Sequence, residues 1–347
     1  MNDKNSLYLY GITRNDKNID HFPELKKMGL TFIQYDGISA IVEEKKYVNV
    51  MHTGKETLAR LLVNHQQKLE QVMELGFSAL IPFKLGTWST SEEEVRKILE
   101  KGYALCPDIL KKVDHHVEVD VAVTWKNLNT ILQQMANDPE IAELRQEIVS
   151  RGTPVSTADQ VQIGKLIKEK LDKKTGHFRE LMIKRLEPYS KELKQHELMD
   201  DQMVANIAFL LDRDHISLFE ETVSKMDEEM QGEFNFKVVG PLPCYSFYTL
   251  EVIEFTLEEI NRAKRKLGIS EQASANDIRQ AYLTKVKTVH PDSNHGNGNE
   301  NYFIELTNAY KLMNDYLQTQ KTSAVDETFY FGKEQANENT LIVKLKE

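Results

Sequence analysis

The sequence predicts an α+β chain in which two regions that mix strands with long helices precede an all-α region. Three observations carry this expectation. Residues 7–12, 32–42 and 117–125 alternate side chains with the period of two that a half-buried strand needs. Residues 58–73 and 163–186 instead place apolar side chains at helical spacing. From Thr256 to Leu317 the strand period gives way to successive capped helical patterns.

Composition narrows the function classes. The 347 residues are 40% hydrophobic and 28% charged, which is enough apolar material for two or three domains of ~100–200 residues. No apolar run approaches the ~18 residues of a membrane span. Residues 1–16 hold no basic region leading into a long apolar stretch, so no signal peptide is expected and the cytoplasm is the expected location. Cys106 and Cys244 form no CxxC pair and are expected as two buried or semi-buried thiols. The net charge of −10 is concentrated: residues 200–259 hold 14 acidic side chains against Arg213, Lys225 and Lys237, a balance of −11. A nucleic-acid binder needs a basic face, so that partner is not expected. The acidity reads as solubility, with an acidic docking face as the other reading.

The elements follow in order. "SLYLYGIT" alternates as a first strand, and Phe32 to Tyr35 and Ile38 to Val42 are two more, joined by the turn pair Asp36-Gly37. Leu58, Leu61, Leu62, His65, Leu69, Val72 and Met73 form one helical stripe, with His65 as a packed histidine. "FSALIPFKLGTW" is a short strand entering a loop, and a second helix is expected from about Ser91 to Lys112. Val117, Val119, Val121, Val123 and Trp125 face one side of a further strand, with Glu118, Asp120 and Thr124 on the other. Strands broken by two long helices suggest a ferredoxin-like sandwich over residues 1–125. His115 and His116 are adjacent on a strand and point to opposite faces, which disfavours a metal site with Asp114.

Residues 126–255 are expected as a second α/β domain with long helices. "DPEIAELRQEIVSRG" is a short helix ending near Gly152. A long helix follows, capped by Ser156 or Thr157, with a stripe of Ile163, Leu166, Ile167, Leu171, Phe178, Leu181, Met182 and Leu186, and ended by Pro188. "QMVANIAFLLDRD" reads as a strand, "HISLFEETVSKMDEEM" as a helix and "FNFKVVGPLPCYSFYTLEVI" as a strand entering a Gly/Pro turn. In that turn Gly240 permits a close backbone path, Pro241 and Pro243 fix φ, and Tyr245 and Phe247 are expected as packed anchors. The turn either pins the strand to the core or binds a partner. GxSxG, Walker A, GxGxxG and HExxH motifs are missing. No enzyme, catalytic residue, cofactor or metal is expected.

"LYLYGIT", "LIPFKLGTW" and "ANIAFLLDRD…FKVVGPLPCYSFY", in that order and spacing, resemble the GvpF/GvpL family of gas vesicle proteins over residues 6 to about 255. Cys244 stands where the family usually has a second proline, and Lys84 where it has arginine. The resemblance implies a non-enzymatic protein of gas vesicle biogenesis that binds the small, hydrophobic shell protein GvpA and works among other gas vesicle proteins.

The last third raises the question of His290, Asp292 and His295, which flank or follow Pro291. They read as a metal site, an acid–base pair or a docking point. The Asn/Gly-rich loop gives ligands no defined geometry, which favours docking. Thr256 and Glu259 are placed as a capping box, Gly268 ends that helix, and Ser274 and Asp277 open the next. Its apolar side is Ile278, Ala281, Tyr282 and Val289, and a final helix turns Phe303, Leu306, Tyr310, Met313 and Leu317 inward. "LGI", the "AY" before "HPD" and the "F..L..AY..L" after it resemble a DnaJ-type J domain, over residues 256–320. The resemblance implies that His290, Pro291 and Asp292, with a basic face of Arg279, Lys285 and Lys287, engage a DnaK-type chaperone. That face is thin: Ser293 stands where lysine often follows, and Lys264 occupies the region of a common tyrosine. Residues 321–347 are expected as a partly disordered tail in which "TLIVKLKE" adds an edge strand or binds a partner as one. The expected whole is a gas vesicle assembly adaptor, cytoplasmic and associated with gas vesicles. The alternative is a minor structural or scaffold component with an inert J-like tail.

Overall fold

The computed structural model describes residues 5–50, 53–230, 232–289, 300–319, 329–330 and 340–345. In chain order the elements are β1 (Asn5–Arg14), α1 (Pro23–Lys27), β2 (Leu30–Tyr35), β3 (Ile38–Lys46), α2 (Lys55–Glu74), β4 (Leu80–Pro82), β5 (Trp88–Ser89), α3 (Glu92–Gly102) and α4 (Cys106–Val113). Next come β6 (His116–Trp125), α5 (Leu128–Ala136), α6 (Pro139–Ser150), α7 (Thr157–Leu186), β7 (Ser190–Gln195), β8 (Met203–Asp212), α8 (Ile216–Glu229) and β9 (Phe234–Leu242). The last are β10 (Leu250–Phe255), α9 (Leu257–Leu267), β11 (Gln272–Ala273), α10 (Ala275–Val289), α11 (Glu300–Thr319), β12 (Phe329–Tyr330) and β13 (Thr340–Leu345). The chain is mixed helix and sheet with a helical C-terminal region, as the patterning predicts.

These elements form two units, each assembled from separate stretches. The first comprises residues 1–62, 83–107 and 250–347, and the second residues 63–82 and 108–249. Thus β6 belongs to the second unit and β10 to the first.

In the first unit β2, β3 and β1 lie side by side and antiparallel, with β5 also on β1. The Asp36-Gly37 turn joins β2 to β3, and Asp36 takes a positive φ of 49°. Tyr8, Tyr10, Ile12, Ile33 and Ile41 are buried. The single helix expected from Ser91 to Lys112 is two helices. Tyr103 to Leu105 break it, and Pro107 then occupies the first turn of α4, where its missing N–H costs nothing. Further along, α9, α10 and α11 enclose their own core of Ile260, Leu267, Ile278, Leu306, Met313 and Tyr316.

"TLIVKLKE" does add a strand. β13 pairs antiparallel with β10 from Leu250↔Leu345 to Phe255↔Thr340. Val343 packs on α3 so closely that a Cβ at Gly102 would meet its Cγ1 at 2.9 Å. Lys344 pairs with the buried Asp315 of α11.

The second unit is built on the sheet β7-β8-β6-β9, antiparallel throughout. Its chain order is strand, helices, strand, strand, helix, strand, with β6 at the centre. Val117, Val119, Val121 and Val123 are buried as the alternation predicts, together with Phe178, Met182, Phe209 and Phe219. Two readings need correction. Leu58 and Leu62, expected on the buried stripe of α2, are 37% and 51% exposed, whereas Leu61, His65, Leu69 and Val72 are buried. The stripe of α7 enters the core only from Leu171 onward, and Ile163, Leu166 and Ile167 are half-buried. β7, "SKELKQ", has no apolar alternation because it is an edge strand with both faces largely wet.

Candidate functional site

The Gly/Pro turn and the three C-terminal helices hold the residues that the sequence singles out. The turn begins within the last residues of β9 and continues past it. β6 and β9 are held so close at Gly240 that a Cβ there would sit 3.0 Å from both the Glu118 carbonyl oxygen and Val119 Cγ2. The register of the two strands shifts at the same place, between Glu118 and Asp120. Any side chain here would force β6 to give by a few tenths of an ångström. Gly240 and Pro241 are exposed, Pro243 and Cys244 are buried, and Phe247 is 7% exposed. Tyr245 packs its ring 6.0 Å from that of His65, which is itself 2% exposed. Tyr245 thus lies half-buried against α2, and Phe247 is buried.

The sequence does not reveal what the turn closes over. Glu118 lies on the strand face expected to be solvated, yet it is 1% exposed. Its carboxyl accepts from the Ser246 N–H at 2.7 Å and from the Ser246 hydroxyl at 2.8 Å. His196 Nε2 lies 3.1 Å from the same hydroxyl. Burial, reinforced by the neighbouring Asp120 carboxyl, pushes Glu118 up to about 8. Burial raises Asp120 as well, and the His196 charge opposes that shift. The one available signal was a carboxylate in mid-strand between two buried valines. Burial also pushes the free Cys106 thiol up to about 12, and Cys244 upward, so both thiols are inert rather than nucleophilic.

The helical region is built from local signals. Thr256 and Glu259 cap α9 reciprocally, with the Glu259 N–H donating to Thr256 Oγ1 at 3.2 Å and the Thr256 N–H to Glu259 Oε2 at 2.9 Å. Gly268 ends α9 in the left-handed region at φ 73°, its N–H donating to the Lys264 carbonyl at 2.8 Å. Ser274 and Asp277 repeat the cap on α10. Tyr282 stacks on Tyr310 of α11 at 4.3 Å, and its hydroxyl lies 3.2 Å from Thr307 Oγ1. Lys264 has a buried stem, and its ammonium lies 3.8 Å from Glu271.

The expected basic face does not converge. Arg279 and Lys287 are both exposed, about 80° apart around α10, with the exposed Leu283 between them. Lys285 lies about 120° away from Arg279. Its ammonium donates to the Lys266 carbonyl at 2.6 Å, closing the C-terminal end of α9. His290, Pro291 and Asp292, and His295 with them, lie outside the described residues; α10 ends at Val289, immediately before them. Among the described residues no group of three or more His, Cys, Asp or Glu side chains is arranged to hold a metal ion. None of the described helices is long and apolar enough to cross a membrane.

Comparison with known proteins covers both regions. The model of the gas vesicle synthesis protein GvpL/GvpF family matches residues 6–249. The DnaJ domain model matches residues 265–321. Gas vesicle protein F of Nostoc sp. is 25% identical over 251 residues, which covers 70% of this chain and 97% of that protein. The crystal structure of gas vesicle protein GvpF from Anabaena sp. shares the fold, with a TM-score of 0.58 and 23% identity over 71% of this chain and 98% of that one. The chaperone protein DnaJ of Mycoplasma mobile is 40% identical over 55 residues, 16% of this chain but only 15% of DnaJ. The chain belongs to the gas vesicle synthesis protein GvpL/GvpF family and carries a DnaJ domain after the GvpF-like body.

Proposed function

We propose that this protein is a gas vesicle assembly adaptor, not an enzyme. Its GvpF-like body binds the hydrophobic shell protein GvpA, and its J domain recruits a DnaK-type chaperone to the same place. The observation that supports this is the joining of both modules in one chain, with the J region keeping its helical core and its caps. Arg279 and Lys287 are exposed on α10, the helix that leads directly into His290, Pro291 and Asp292. In this reading those five residues meet the chaperone, with Asp292 accepting from a partner arginine. Lys285 acts instead inside the domain, holding α9 to α10. The protein works in the cytoplasm at growing gas vesicles.

In the turn, Pro243, Tyr245 and Phe247 are structural, and Gly240 and Pro241 are the part open to a client. We also read the β6–β9 sheet, rather than the N-terminal one, as the ferredoxin-like module. Its strand order of 2-3-1-4 along a β-α-β-β-α-β chain supports this.

Two measurements on the purified full chain test the adaptor: capture of GvpA-type shell protein, and stimulation of DnaK ATP hydrolysis. Asp292→Asn is expected to abolish stimulation and leave capture unchanged. Failure of both activities in the parent protein sinks the reading. The loss of Lys285 from the basic face favours one rival, a minor scaffold component with an inert J-like tail. That rival predicts capture without stimulation, and full vesicle formation after deletion of residues 256–347.

A further inference from the structure

β7 is an open edge of the second unit's sheet. Its pairing with β8 fixes which backbone groups face outward. The His196 N–H donates to the Asn206 carbonyl at 2.8 Å, in the register that sets Lys194 opposite Ala208 and Glu192 opposite Leu210. Antiparallel pairing alternates, so these residues turn their N–H and carbonyl groups toward β8, and Leu193 and Gln195 turn theirs away from it. The outward groups meet no partner among the described residues. Side chains alternate as well. Leu193 is half-buried and packs on the core under one face of the sheet. Glu192 and Lys194 share the other face, and neither joins an ion pair among the described residues. The Lys194 ammonium lies 5.7 Å from the centre of the Phe247 ring.

An edge of this kind accepts another strand unless a bulge or a charge turns it away. Both devices are present in β7, and together they leave one register open. The ladder to β8 shifts between Ser190 and Glu192, and Lys191 at that shift pairs with Asp212 at 2.9 Å. Two copies of the strand related by a two-fold axis run antiparallel. With the axis through Lys191, Glu192 or Lys194, a charge faces its own copy. Through Gln195, no opposite charges stand directly across from each other. Through Leu193, Glu192 lies opposite the partner's Lys194 and Lys194 opposite the partner's Glu192. These are the positions at which side chains of paired strands stand closest. The same register exchanges two N–H···O bonds between Leu193 and the partner's Leu193. We propose that β7 is a self-pairing edge through which two copies of this chain form a two-fold dimer, joining two four-stranded sheets into one of eight strands. The occupant is a second copy because the charge pattern of the strand is its own complement. A contact this short falls at the small, transient end of interfaces, below about 1,200 Å² in total, so monomer and dimer exchange with concentration. It involves neither the J region nor Gly240 and Pro241, and it stands independently of the adaptor reading.

Sedimentation velocity of the full chain, from micromolar to sub-millimolar concentration, tests this. The parent is expected to shift from monomer to dimer across that range. Glu192→Lys and Lys194→Glu each set like charges opposite one another and are each expected to weaken the dimer at least about tenfold. An equimolar mixture of the two variants brings opposite charges together at both positions and is expected to associate as the parent does. The mixture is also the control for folding, since misfolded variants would not recover. Gln195→Pro removes an outward N–H that the sheet does not use and sets a ring in the path of the partner strand. It is expected to lose the dimer with an unchanged circular dichroism spectrum. The proposal is overturned if the parent stays monomeric at sub-millimolar concentration, even where the edge then binds an extended peptide of another protein. It is equally overturned if Glu192→Lys dimerises as well as the parent, or if the mixed variants stay monomeric.

Discussion

The J region and the sheet of the second unit satisfy their polar groups in opposite ways. In the J region the starts of α9 and α10 are closed by side chains three residues apart, Thr256 with Glu259 and Ser274 with Asp277. In the second unit the critical carboxyl, Glu118, is fully buried and is held by Ser246, 128 residues away in sequence. The first arrangement is written in a short motif. The second exists only once β6, β9 and the turn have come together. The J region can therefore diverge at its surface and keep its fold, whereas the sheet depends on distant residues being matched to one another.

The largest expected effect tests whether the J region is held by its core or by its caps. Leu306 of α11 is fully buried among Ile260, Leu267 and Ile278. Leu306→Ala is expected to cost about 2–5 kcal/mol through lost burial and the cavity left behind. Hydrogen exchange should then show α9, α10 and α11 opening, while β6 and β8 keep their protection. Equal loss of protection in both regions would show that they do not fold as separable units.

Glu118 gives the next largest effect, with a definite sign. Its carboxyl titrates near 4.5 when unfolded and near 8 when folded. Between those values the native state keeps a proton that the unfolded chain has released, so stability falls as pH rises. The loss levels off above about pH 8, at on the order of a few kcal/mol. Asp120, raised by the same burial, adds a change of the same sign. Glu118→Gln should flatten most of this slope in urea melts at pH 5, 7 and 8.5 followed by Trp125 fluorescence in a Trp88→Phe background. A wild-type protein more stable at pH 8.5 than at pH 5 would show that Glu118 is ionised in the fold.

The same contrast explains what could be read from the sequence. Strand and helix patterns, the Asp36-Gly37 turn, the caps at Ser156, Thr256 and Ser274, and the glycine stop at 268 are all local, and all are in the structure. β7 escaped because an edge strand with two wet faces has no alternation to detect. The break at residues 103–105 escaped because apolar spacing continues across it. The role of Lys285 escaped because charge type alone does not say whether an ammonium faces solvent or a neighbouring helix end. Glu118, Ser246 and His196 come from three separate stretches, and nothing in any one of them points to the other two.

β13 falls between the two regimes, since its pattern is legible and its destination is not. Gly102→Ala sets a methyl group against Val343 and is expected to cost about 1–3 kcal/mol by overpacking. Val343→Ala in the same chain should restore most of that loss, because it removes the atoms in conflict. Protection of the β10 amides from hydrogen exchange is the readout. No rescue by the second change would mean that Gly102 matters for its own backbone and not for the approach of β13.

The smallest expected effect belongs to the most legible feature. Thr256→Ala removes the side-chain acceptor for the Glu259 N–H and should cost about 1 kcal/mol, while Thr256→Asn keeps an acceptor and should cost little. The Thr256 N–H and hydroxyl hold the Glu259 carboxyl below its ordinary value, so this contribution is present at neutral pH and is lost as pH falls through the lowered value. That is opposite to the trend at Glu118. Urea melts of Thr256→Ala at pH 7 and pH 3 should therefore converge toward the parent at the lower pH. A penalty that grows on acidification, or one that matches Leu306→Ala, would remove the distinction between the two regions. The expected ordering has a plain physical basis. A cap replaces one hydrogen bond to water with one to protein, and a core leucine removes a whole side chain from water. A motif's visibility in sequence measures how few residues are needed to state it, and few residues hold little energy.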